Sequence, residues 1–92
     1  MAVIDVHRAH TLDKEHAREA AETLARDLAS KFELNYLWEG DHLKFKRKGV
    51  KGHLNITGDD LNVHLELGLL LSPFKSRIEQ EIHSQLDQIL KA

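Results

Sequence analysis

NYLWEGDHLKFKRKGVKGHLNITGDDLNVHLEL, residues 35–67, decides the fold of this chain. Three glycine pairs punctuate it at equal spacing: Gly40-Asp41, Gly49-Val50 and Gly58-Asp59. Each suits a two-residue hairpin loop in which glycine supplies a positive φ. Counting outward from each loop then sets the pairing. The first loop places Trp38 opposite Leu43, Tyr36 opposite Phe45 and Leu37 opposite Lys44. The second places Phe45 opposite Leu54, Leu43 opposite Ile56 and Lys46 opposite His53. The third places Ile56 opposite Leu61, Leu54 opposite Val63 and His53 opposite His64. All three loops sort the same residues onto the same two faces, whereas a one-residue slip at any loop would mix them.

The result is a four-stranded meander with one apolar and one polar face. Leu34, Tyr36, Trp38, Leu43, Phe45, Leu54, Ile56, Leu61, Val63, Leu65 and Leu67 share the first. Lys44, Lys46, Lys48, His53 and His64 stand on the second, among Asn35, Leu37, His42, Asn55, Asn62 and Glu66.

The flanks complete the fold. AVIDVHR, residues 2–8, alternates as a strand with one buried side. Thr11 is the expected N-cap of a helix whose apolar positions run Ala17, Ala20, Ala21, Leu24, Ala25, Leu28 and Phe32. Glu22/Arg26 and Asp27/Lys31 lie on its other side in the favourable i,i+4 order. Ser72 and Pro73 read as the N-cap and first residue of a second helix, with Phe74, Ile78, Ile82, Leu86, Ile89 and Leu90 along its stripe. The expected fold is α+β, a single domain over residues 1–92 with element order β-α-β-β-β-β-α. Two helices cover one face of a five-stranded antiparallel sheet of spatial order 2-3-4-5-1, by analogy with the TATA-binding-protein-like class. Strand one then forms a sheet edge, where a homodimer is the expected assembly.

Composition narrows the function. The 92 residues carry 13 Lys and Arg against 15 Asp and Glu, a net charge of −2, which weighs against a dedicated nucleic-acid binder. With no cysteine, neither a disulfide nor a thiolate metal site supplements the core. No basic and apolar leader opens the chain and no apolar stretch reaches the length of a membrane span, so the expected setting is the cytoplasm.

The basic run KFKRK, residues 44–48, looks at first like a nucleic-acid platform, which needs aromatics exposed among its cations. In the register above Phe45 and Arg47 point one way and the lysines the other. Lys44, Lys46 and Lys48 therefore read first as a solvated row, with an anionic partner as the alternative, and no ligand is expected to touch Trp38. His53 and His64 are cross-strand neighbours, but a useful metal site needs a third or fourth ligand in geometry. No metal and no cofactor is expected. Nucleophile elbows and phosphate-cradling glycine loops are missing from the sequence, and the outer carboxylates of helix one read as solvated, so no catalysis is expected. Leu69, Leu70, Leu71 and Phe74 form an apolar run between the last strand and the last helix. It reads first as a segment folded under the helices, with an exposed docking patch as the alternative.

Three stretches together resemble the small polyhydroxyalkanoic acid system family of granule-region proteins. They are IDVHRAHTL at 4–12, the Tyr-x-Trp-x-Gly-Asp hairpin at 36–41 and LELGLLLSPFKSRIEQEI at 65–82. The resemblance implies a bacterial accessory or regulatory protein of polyester storage granules, not a reaction. A granule, or a protein on it, is then the expected partner, and the localisation is cytoplasmic and granule-associated.

Overall fold

The computed structural model describes residues 2–90. Its elements are β1 (Ala2–Ala9), α1 (Lys14–Phe32), β2 (Asn35–Glu39), β3 (His42–Arg47), β4 (Val50–Ile56), β5 (Asp60–Leu67) and α2 (Lys75–Ile89). A short 3-10 turn, Ser72–Phe74, precedes α2. The five strands form one antiparallel sheet in the order β1-β5-β4-β3-β2, which is the expected order read from the other edge. The α+β architecture follows as the sequence pattern predicts.

Alternation puts the core on one side of this sheet. Ile4, Val6, Leu43, Phe45, Leu54, Leu61, Val63, Leu65 and Leu67 are buried beneath Leu24 and Leu28 of α1 and Ile78, Ile82 and Leu86 of α2. Ala17, Ala20, Ala21 and Ala25 are also buried, and their small side chains let α1 lie close. α2 covers β1, and α1 reaches β2 and β4. Arg8 of β1 ties that cover down: its guanidinium donates to Asp87 of α2 at 2.7 Å. Tyr36 and Trp38, expected in the core, are only half-buried at the β2 edge.

The first and third hairpins pair as counted, with Trp38 opposite Leu43 and His53 opposite His64. The second does not. Its loop is Lys48-Gly49, so Leu43 faces Leu54, Phe45 faces Gly52 and Lys46 faces Lys51. The register moves by two residues, which preserves every face assignment because the side-chain period is two. Gly49 takes the positive φ of 86° as the second loop residue, not the first. Gly52, unremarked in the sequence pattern, sits inside β4 where a Cβ would lie 2.2 Å from the His64 carbonyl oxygen and 2.9 Å from Leu65 Cα. The third hairpin needs no left-handed glycine. The Asp60 N–H donates to the Thr57 hydroxyl at 3.0 Å, and the Thr57 N–H donates to the Asp60 carbonyl at 2.9 Å.

Both helix starts also differ from expectation. His10 is buried, and its ring bridges two backbone groups: Nδ1 accepts from the Leu12 N–H at 3.1 Å, which leaves Nε2 to donate to the Thr57 carbonyl at 3.0 Å. That bridge pins residues 10–12 to the β4–β5 turn, so Asp13, not Thr11, caps α1 and accepts the His16 N–H at 2.8 Å. At α2 the Ser72 hydroxyl turns back to donate to the Gly68 carbonyl at 3.0 Å. Leu71 takes the N-cap place of the 3-10 turn, and the α-helix proper begins at Lys75.

Two glycines separate space from conformation. Gly52→Ala forces backbone apart and is expected to cost about 1–3 kcal/mol in urea denaturation. Gly58→Ala meets nothing within 4 Å and is expected to stay within about 0.5 kcal/mol of wild type.

Candidate functional site

Two surfaces collect the candidate residues, and the sheet keeps them apart. On the open face, one row runs across the strands as Asp5, His64, His53, Lys44 and Leu37. The His53 and His64 rings stack with centroids 5.3 Å apart. His64 lies 3.9 Å from an Asp5 oxygen and 3.7 Å from a Glu66 oxygen, and Lys44 pairs with Glu39 at 3.1 Å. The next row is Val3, Glu66, Lys51, Lys46 and Asn35. Lys48 stands in the β3–β4 turn beyond it. Among the described residues, no group of three or more His, Asp or Glu side chains converges as a metal site.

The second surface is the junction between β5 and α2. Leu69 and Leu70 do not fold under the helices: they are 81% and 88% exposed, and Phe74 is 43% exposed. The reason is a tight local turn. The Leu71 and Ser72 N–H groups both donate to the Gly68 carbonyl, at 3.1 and 3.0 Å, leaving the two leucines at its outer bend. Gly68 in turn donates its N–H to the Gly49 carbonyl at 2.7 Å, which docks the turn on the β3–β4 hairpin. Leu71 alone of the three packs against the core.

Behind this junction a cleft of about 190 Å³ opens between the end of α1 and the start of α2. Leu65, Leu67 and Val50 of the sheet floor it, and Phe32, Leu71 and Ile78 wall it. Arg47 stands at the β3 end of the same cleft, on the core side of its strand, and donates from one guanidinium nitrogen to the Phe32 carbonyl at 2.9 Å. Sequence reasoning placed Arg47 on the apolar side, but no local signal showed that two helix ends would part there.

Two carboxylates of α1, expected to be solvated, are instead largely covered. Glu22 accepts from the Tyr36 hydroxyl at 2.5 Å, from Trp38 Nε1 at 2.7 Å and from Arg26 Nε at 3.1 Å. The Tyr36 and Trp38 hydrogen bonds hold its carboxyl below the ordinary 4.5. Arg18 lies over the Trp38 ring at 4.1 Å. The second is Asp27, which shares Lys31 with Glu81 of α2, at 3.4 and 2.8 Å. Burial, then the neighbouring Glu81, pushes the Asp27 carboxyl above its ordinary 3.8. Its buried Oδ2 accepts no hydrogen bond. Both the burial and the adjacent Glu81 carboxylate disfavour the ionised form of Asp27.

The chain matches, over residues 4–90, the family described as "Putative polyhydroxyalkanoic acid system protein". The chain belongs to this family. The match spans both the open face and the junction, so membership does not choose between them. No curated protein matches it. Among the described residues no helix is long and apolar enough to cross a membrane.

The Glu22 contacts give the site a built-in optical reporter, because Trp38 is the one tryptophan of the chain. A depressed carboxyl pKa contributes stability above the unfolded-state value, and that contribution is lost as pH falls through the folded value. Trp38 fluorescence is therefore expected to titrate below pH 4.5, and Glu22→Gln to remove that acid transition while the fold persists at pH 7.

Proposed function

We propose that this chain is a non-enzymatic accessory protein of polyhydroxyalkanoate metabolism that docks on the polyester surface of a storage granule through the β5–α2 junction. The observation that carries this reading is the exposure of Leu69 and Leu70. Two adjacent leucines held at the outer bend of a fixed turn, beside a half-exposed Phe74, lose favourable free energy in water and regain it on an apolar surface. Each leucine buried contributes roughly 1.5–3 kcal/mol, so two suffice for reversible attachment. Membership of a family described by the polyhydroxyalkanoic acid system supports the polyester as that surface.

Self-association through β1 belongs to the same proposal. Among the described residues β1 pairs on one side only, with β5. Antiparallel pairing with a second copy centred on Val6 would bring Asp5 opposite His7 of the other copy, a complementary contact on the open face.

One observation favours a second reading. Lys46 faces Lys51 directly across β3 and β4, a like-charge pair that an anion would relieve. An anionic ligand or nucleic acid on Lys44, Lys46, Lys48 and His53 is that alternative.

Sedimentation with purified granules separates the two. Leu70→Ser is expected to weaken granule affinity roughly tenfold, as loss of about 1.5 kcal/mol requires, with an unchanged circular dichroism spectrum. Replacing Lys44, Lys46 and Lys48 by alanine is expected to leave it unchanged. The opposite pattern, with binding lost steeply as salt rises, would transfer the function to the open face.

A further inference from the structure

We propose that the cleft behind the junction binds a medium-chain carboxylate, its head on Arg47 and its alkyl tail along Phe32, Leu71 and Phe74. The proposal deepens the granule reading, on which it rests only for the source of the ligand: a hydroxyalkanoic acid is one member of this class.

The head group follows from Arg47. It is a half-buried cation that forms no ion pair with a carboxylate among the described residues. A half-buried charge without a counter-ion is costly, and a guanidinium offers five N–H donors in a planar fork matched to a carboxylate. The bond to the Phe32 carbonyl uses one of these donors and fixes the fork at the mouth of the cleft. Lys31 lines the same cleft, but Asp27 and Glu81 already hold its ammonium. Glu33 is the acid of the lining, exposed and in the left-handed conformation at the end of α1. One available cation matches a monoanion, and the exposed Glu33 further disfavours a phosphate dianion.

The tail follows from the walls and the volume. Phe32, Leu71 and Phe74 present the accessible apolar surface of the cleft, and Leu65, Leu67, Val50 and Ile78, themselves buried, close it beneath them. A dry cavity of about 150 Å³ holds a benzene ring, so 190 Å³ takes a tail of about six to eight carbons. The frame is fixed by the Gly68 N–H bond to the Gly49 carbonyl at 2.7 Å.

The test titrates octanoate, with octanol as its neutral counterpart, into the full chain followed by amide NMR shifts. Octanoate is expected to saturate, with shifts confined to residues 31–34, 47–50 and 71–78, and to bind about tenfold or more tighter than octanol, as a charge-assisted hydrogen bond predicts. Arg47→Gln is expected to lower octanoate to the octanol level. Ile78→Phe, which fills the cleft, is expected to weaken both. Leu70→Ser is expected to leave octanoate binding intact, so a failure of granule docking is read separately. Equal affinity for octanol and octanoate in the wild-type chain, shifts centred on Leu69 and Leu70, or no saturation would each overturn the proposal.

Discussion

Side chains leave a strand alternately up and down, and three short turns keep that alternation in phase across β2 to β5. The rest of the structure depends on this constraint. It collects Leu43, Leu54, Leu61, Leu65, Phe45 and Val63 on one face for the two helices to cover, and it leaves lysines, histidines, asparagines and Leu37 on the other. A shift of two residues at the Lys48-Gly49 loop is absorbed without moving one side chain across the sheet. A shift of one residue would have put Lys44 and Lys46 into the core.

The same constraint explains how much the sequence discloses. The strand order, the two faces and both helix stripes are legible, because periodicity is a property of many residues together. The exact loop at Gly49 is not, because glycine serves either loop position and parity hides the difference. Gly52 tells them apart only once Leu65 and His64 are beside it. The helix starts differ from local expectation for a related reason. Thr11 and Ser72 are good caps in isolation, but His10 holds the first segment against Thr57 and the Ser72 hydroxyl is turned back to Gly68. Tertiary partners outbid local propensity at both places.

The site residues divide in the same way. That Lys44, Lys46, His53 and His64 share a wet face is a matter of counting, whereas Lys48, expected with them, falls in the turn. That Leu69 and Leu70 project into water is not, since an apolar run after a buried strand reads as more core. Their exposure comes from the turn that Gly68 closes, a hydrogen-bond pattern with no signature in hydropathy. Glu22 and Asp27 were likewise hidden, because a carboxylate on a helix surface looks solvated until Tyr36, Trp38 or Glu81 is brought to it. Raised in the fold, the Asp27 carboxyl weakens the α1–α2 contact as pH rises through the raised value, whereas Glu81, held below its ordinary 4.5, weakens it as pH falls.

A charged face and an apolar junction are thus set on different parts of one small domain, and the central claim is that the junction makes the contact. Amide hydrogen exchange of the chain, free and bound to polyester granules, tests it most directly. The account predicts that protection is gained at residues 69–78 and that exchange on the open face, residues 42–55, is unchanged. Protection gained at 42–55 with residues 69–78 unaltered would contradict it.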